Sequence, residues 1–113
     1  MVKKYTYVFF TNAVAGKDDE FNKWYTNRHL PDVVEFPGFV SGRRYRLADV
    51  GVMGPAPQHR YLTIYEVETD NPEAFLAELG SRAQGVEMSD AINLEDLTGA
   101  LWEAITDRVV AKS

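Results

Sequence analysis

The sequence predicts an α+β domain of the order β-α-β-β-α-β, a four-stranded antiparallel sheet with two helices on one face. Three observations carry this. An aromatic and β-branched run opens the chain, two segments have the charge or capping signals of helix starts, and the remaining strand-like runs fall between and after them. A chain of 113 residues matches one compact domain of about 100 to 150 residues, so residues 1–113 are expected to form a single domain.

Residues 5–11 (Tyr5, Thr6, Tyr7, Val8, Phe9, Phe10, Thr11) have the composition of a central strand covered on both faces. Residues 12–16 form a loop. Asp18, Asp19 and Glu20 then put negative charge in a first helical turn, where the helix dipole favours it, so a helix starts near Lys17. Phe21, Trp24, Tyr25, Arg28, His29 and Asp32 recur at i, i+3 and i+4, which predicts one face directed at the sheet. Pro31 lacks an N–H and pushes Leu30 away from the α region, so the helix is expected to break or kink at His29, Leu30 and Pro31 and to resume toward Phe36. Pro37 and Gly38 end it.

Residues 39–47 and 60–68 read as strands joined by a long stretch containing Gly51, Gly54, Pro55 and Pro57, more chain than a tight hairpin needs. Asn71 followed by Pro72 marks the cap and first turn of a second helix that ends by Gly85. Residues 88–97 read as an irregular connection. Residues 100–109 alternate Leu101, Glu103 and Ile105 against Ala100, Trp102 and Ala104, which predicts the last strand. The resulting order is that of the ferredoxin-like split βαβ unit.

Composition narrows the function. A net charge of -5 removes the electrostatic attraction that nucleic-acid binding depends on. The absence of cysteine removes disulfides and thiolate chemistry and suits a reducing compartment. The start, Met1, Val2, Lys3 and Lys4, runs into a strand-like segment without the apolar core of a signal peptide, and no apolar run is long enough to span a bilayer. The expectation is a cytoplasmic protein with no nucleic-acid or membrane partner.

Both alternating sets of strand positions are apolar: Tyr5, Tyr7 and Phe9 against Val8 and Phe10, and Tyr61, Tyr65 and Val67 against Leu62 and Ile64. Helices on one side leave the other side of the sheet bare, and a second copy of the sheet is the economical cover. A homodimer closed through its sheet faces, a dimeric α+β barrel, is expected.

The segment Glu20-Phe21-Asn22-Lys23-Trp24-Tyr25, then Arg28-His29-Leu30-Pro31-Asp32-Val33-Val34 and Pro37-Gly38-Phe39, resembles the EthD-like branch of the dimeric α+β barrel superfamily. Arg43-Arg44-Tyr45 and Tyr61-Leu62-Thr63-Ile64-Tyr65-Glu66 extend the resemblance, which fades after Gly85. It implies a hydrophobic cavity between sheet and helices that holds a small, often cyclic or aromatic molecule. Relatives in the superfamily include muconolactone isomerases, polyketide cyclases, cofactor-free monooxygenases and haem-degrading enzymes, and fold alone does not choose among them.

His29 is the first candidate catalytic residue, because an imidazole on a sheet-facing helix side can reach such a cavity and titrate near neutral pH. It reads equally as a core histidine that pins the kink. Tyr25 and Asp32, four before and three after it, are placed to orient its ring or share a proton, with Asp32 also a cap for the resumed helix. Tyr7, Phe9, Asn12, Trp24, Arg44 and Tyr65 are the candidate substrate-binding residues. Arg44 and Tyr45 are neighbours on a strand, so only one faces the cavity; an inward arginine would stabilise a carboxylate or enolate, and equally Arg43, Arg44 and Arg46 keep the strand soluble or pair with Glu66 and Glu103 across the sheet. His59, beside the Gly/Pro loop, reads as a surface or rim residue. No metal site is expected, since two histidines and scattered carboxylates lack ligand spacing, and no nucleotide motif is present.

The first functional expectation is a cofactor-independent enzyme of lyase, isomerase or cyclase type, in which His29 moves a proton on a small hydrophobic cyclic, aromatic or polyketide-like substrate. The alternatives are a non-catalytic binding accessory of a catabolic or oxygenase pathway, and a cofactor-free monooxygenase or haem-handling protein.

Overall fold

The computed structural model describes residues 1–112. Strand β1 (Lys3–Thr11) lies centrally, with β3 (Tyr61–Thr69) on one side and β4 (Thr98–Trp102) on the other, and β2 (Phe39–Arg46) pairs with β3. All pairings are antiparallel, in the order β2-β3-β1-β4. This is the ferredoxin-like arrangement the element order predicts. Among the described residues no helix is long and apolar enough to cross a membrane.

The register sorts the side chains into two faces. Tyr7 opposes Tyr65, Phe9 opposes Thr63 and Thr11 opposes Tyr61 on the face that meets the helices, and Leu101 joins them beside Tyr7. Val8, Phe10, Leu62 and Ile64 form the other face and stay only partly covered, with Tyr45 and Trp102 exposed beside them. The expectation that β1 is covered on both faces is met on one face only within a single chain.

The first helical segment corrects the sequence reading. It does not break at Pro31. It runs as α1 (Asp18–Trp24), a π turn (Tyr25–His29) and α2 (Leu30–Val33) without leaving helical backbone angles, His29 standing at φ -67° and ψ -48°. The Leu30 N–H donates to the Tyr25 carbonyl, five residues back. A wider turn relieves the clash that the Pro31 ring would otherwise make with the carbonyl four residues earlier, so the proline is absorbed rather than breaking the helix.

The wide turn also shifts the helix phase by about one residue. The buried stripe therefore passes from Phe21 and Tyr25 to Val33, with Leu30 half-buried between them, while Arg28 and Asp32 are exposed. Their inward placement fails for this reason.

Helix α3 (Pro72–Ala83) begins as its sequence requires: the Asn71 Oδ1 accepts from the Ala74 N–H at 3.0 Å, with Pro72 in the first turn. Strand β4 starts earlier and ends sooner than the expected span of 100–109, because pairing with β1 stops at Trp102 opposite Thr6. Residues 103–112 continue without regular structure. The 88–97 connection is irregular as expected, yet it buries Ala91 and Ile92 and bridges Ala13 to Ile92.

Two glycines let layers approach. A Cβ at Gly42 would stand 2.9 Å from both Leu30 Cδ1 and Tyr65 Cδ1, and one at Gly99 would stand 2.6 Å from two ring carbons of Phe9. The core divides into one cluster around Phe21, Tyr25, Tyr61 and Ile92 and another around Val33, Tyr65, Val67 and Phe75, with Leu30 packed against both.

Candidate functional site

A cavity of about 380 Å³ lies between the helix-bearing sheet face, the π turn and α3. Its floor comes from Tyr7 and Phe9 of β1 and Tyr65 of β3, and its inner wall from Tyr25, His29 and Val33. Across from these, α3 contributes Leu76, Leu79 and Ala83, and the following connection adds Met88, Ile92 and Leu97. None of its lining residues is Lys, Arg, Asp or Glu.

Five of the candidates from the sequence meet here: Tyr7, Phe9, Tyr25, His29 and Tyr65. The π turn explains two of them, since it carries Tyr25 at its start and His29 at its end, on the side of the helix that faces the sheet. Tyr7 and Phe9 stack with centroids 4.4 Å apart, and Phe9 meets Tyr65 edge to face at 5.9 Å.

His29 is clamped between two aromatic rings. Trp24 stacks on it at 4.6 Å with planes 23° apart, and Tyr25 meets it edge-on at 4.8 Å. Its Nδ1 is buried without a hydrogen-bond partner among the described residues. Burial lowers the His29 pKa below its ordinary value; nearby Asp32 opposes that shift and Arg44 adds to it. The imidazole is therefore held toward its neutral form.

The phenols of Tyr25 and Tyr65 share a hydrogen bond at 3.3 Å inside the core. Burial pushes the Tyr65 hydroxyl well above its ordinary range, and burial also raises Tyr7. Both stay protonated at neutral pH.

The other four candidates lie off the cavity. Asp32 pairs with Arg28 at 3.3 Å on the exposed side and makes no hydrogen bond to His29, the consequence of the phase shift at the π turn. Asn12 is a loop clamp: its side chain donates to the Asp96 carboxylate at 2.7 Å and to the Gln58 carbonyl at 3.0 Å, and accepts from the Arg60 N–H at 2.9 Å. Trp24 stands behind His29 and shapes the site through it. Tyr45 points to the outer face and Arg44 to the helices, as their strand alternation demands.

Arg44 does not reach the cavity, however. It donates to Asn22 Oδ1 and to Thr26 Oγ1, both at 2.9 Å, and lies 4.6 Å from the Tyr25 ring centroid, 5.2 Å from Phe21 and 5.7 Å from Tyr61. The alternative pairing with Glu66 or Glu103 is absent among the described ion pairs. His59 does not border this cavity: it lies half-buried beside Phe10 of the outer sheet face, with Nε2 2.7 Å from the Asp96 carbonyl oxygen.

Sequence reasoning missed the outer wall. The spacing of Leu76, Leu79 and Ala83 was the available signal, since three and four residues set them on one face of α3. Met88, Ile92 and Leu97 carried no periodic signal, being placed by an irregular connection.

No protein-family model matches the chain, and no curated protein matches it. Solved structures do. The haem-degrader MhuD from Mycobacterium tuberculosis, a structure with two haems bound in its active site, superimposes with a TM-score of 0.63 at 21% identity, over 93% of this chain and 99% of that one. An EthD family protein from Bacillus halodurans gives 0.61 at 17% identity, over 89% and 99%. HapK from Hahella chejuensis gives 0.59 at 14% identity, over 96% and 99%. These likenesses establish the ferredoxin-like α+β fold, and the EthD resemblance read in the sequence has its counterpart among chains of that fold.

Proposed function

We propose that this chain is a small-molecule enzyme in which His29 transfers a proton within the apolar cavity, chemistry of the lyase, isomerase or cyclase kind. The observation that carries it is a histidine on the cavity wall, held toward its neutral form by burial, beside two hydrogen-bonded phenols. A neutral imidazole accepts a proton from a carbon next to a carbonyl while the bonding pair moves onto the carbonyl oxygen. A phenol O–H stabilises that oxygen, and the imidazolium returns the proton at another carbon. Desolvation strengthens each of these contacts.

Cyclic ketones are incubated with the protein in heavy water, and deuterium uptake at the carbon beside the carbonyl is followed by NMR. Uptake is expected with the wild type and not with His29→Ala of unchanged fold. Uptake undiminished in His29→Ala overturns the proposal, and ligand binding without uptake supports an accessory binding protein instead.

A second reading, haem handling, draws on the fold shared with MhuD and on His29. His29, on the wall of an apolar cavity and held toward its neutral form, would be the residue to hold a haem iron, which would supply redox chemistry there. The cavity wall offers no arginine or lysine to the propionates. A Soret shift on adding hemin, lost in His29→Ala, is what this reading requires.

The outer sheet face is proposed as a homodimer interface. Val8, Phe10, Leu62 and Ile64 form a contiguous apolar surface, and Trp102 is 58% exposed at its edge. Sedimentation should give a dimer, and Ile64→Glu should give a monomer.

A further inference from the structure

Two phenols carry two protons. The Tyr25–Tyr65 contact at 3.3 Å uses one of them, whichever residue donates, and neither hydroxyl has another hydrogen-bond partner among the described residues. One O–H donor is therefore left over at the cavity wall, beside an imidazole and otherwise among apolar side chains.

The nearest positive charge is placed so that it cannot meet a ligand directly. Arg44 sits on the far side of the Tyr25 ring, bonded to Asn22 and Thr26 and packed over Tyr25, Phe21 and Tyr61. It does not line the cavity. From that position it holds the Tyr25 ring in place and favours electron density gathering on the phenol oxygens.

We infer that the cavity takes an uncharged ring compound through one carbonyl oxygen, which accepts the phenol proton that the Tyr25–Tyr65 pair leaves free, with Arg44 as the positioning residue of that pair. An anion would lose its hydration among walls without a cation, in a chain whose net charge is already -5. A hydrocarbon would leave the spare O–H unpaired in an apolar site. A neutral carbonyl compound avoids both costs. This rests on the reading of the cavity as the functional site and adds that its ligand is uncharged and held through the spare proton of the phenol pair.

Three probes of similar shape separate the possibilities: tetralin, α-tetralone and α-naphthoate, titrated against the full chain by tryptophan fluorescence. α-Tetralone is expected to bind about tenfold tighter than tetralin, and α-naphthoate at least about a hundredfold more weakly than α-tetralone. The carbonyl stretch of bound α-tetralone should move to lower frequency than in hexane. That shift should vanish in the Tyr25→Phe, Tyr65→Phe double variant and shrink in Arg44→Met, a change that a merely structural arginine would not produce.

Equal binding of tetralin and α-tetralone overturns the acceptor assignment and leaves the cavity reading standing. Tighter binding of α-naphthoate overturns the charge assignment. Failure of all three probes overturns the cavity reading itself. An unchanged carbonyl frequency in Arg44→Met removes Arg44 from the proposal.

Discussion

The indole of Trp24 covers the imidazole of His29 at 4.6 Å, nearly parallel to it, five residues earlier on the same helix. In a regular α-helix neighbours on one face are three or four apart; the π turn between Tyr25 and His29 brings residues five apart into register. Trp24 thus shields His29 from water and contributes to the burial that favours the neutral ring.

The first prediction concerns pH. The folded His29 has a lowered pKa, whereas the unfolded residue titrates near about 6.5. Between those values the unfolded chain binds more protons, so stability is full above the unfolded value and is lost as pH falls through the folded one. Urea midpoints of the wild type should drop across that window, and those of His29→Phe should drop less. Histidine NMR of a chain with two such residues, His29 and His59, gives the folded value directly.

Removing the indole should act on the same proton. Trp24→Ala is expected to destabilise the fold by about 2 kcal/mol, below the range for a fully buried tryptophan because Trp24 is half-buried. The His29 titration should move back toward the ordinary value in the same NMR experiment. An unmoved titration would place the cause of the shift elsewhere.

The phenol pair lends itself to a double-mutant cycle. Tyr25→Phe and Tyr65→Phe should each cost about 1 kcal/mol, and the double variant less than their sum, because either change alone breaks the single hydrogen bond between them. Denaturant unfolding measures all four corners of the cycle.

Arg44→Met should lose about 2 kcal/mol, since two good hydrogen bonds and the contact with the Tyr25 ring go together. Arg44→Lys should recover little of it, because one ammonium cannot lie flat on Tyr25 while reaching both Asn22 and Thr26. Thermal unfolding of the two variants decides this.

Gly42→Ala should both destabilise the chain, by about 1 to 3 kcal/mol, and weaken ligand binding. The added methyl would press on Leu30 and on the Tyr65 ring at 2.9 Å. Leu30 belongs to both core clusters and Tyr65 to the cavity, so packing and site move together. Fluorescence titration alongside denaturation separates the two effects.

Local patterns along the sequence were enough to read the strands, their order and the Asn71 cap, because alternation in β1 and β3 and a side-chain cap are properties of a few adjacent residues. The common inward face of Tyr7, Phe9, Tyr25, His29 and Tyr65 was legible on the same ground, and all five line the cavity. Asp32 was misplaced because helical spacing assumes a constant turn, and Pro31 enforced a wider one. Strand alternation put Arg44 and Tyr45 on opposite faces without choosing between them, and the capture of Arg44 by Asn22 and Thr26 depends on how closely the first helical segment crosses β2, a distance no local pattern encodes. The end of β4 at Trp102 depends on where its partner strand runs out, and is equally non-local.

The π turn behaves as a one-residue insertion within a helix. Deleting a single residue from 25–29 would restore uniform winding and rotate Leu30 and Val33 by about 100° relative to Phe21 and Tyr25. Both core clusters would then compete for one side of the rod. Any alignment of this chain with a relative whose helix is uniform therefore has to open a one-residue gap between Tyr25 and Leu30. Without that gap His29 is matched to the wrong column, and a comparison of site residues would set it against a neighbour that faces elsewhere.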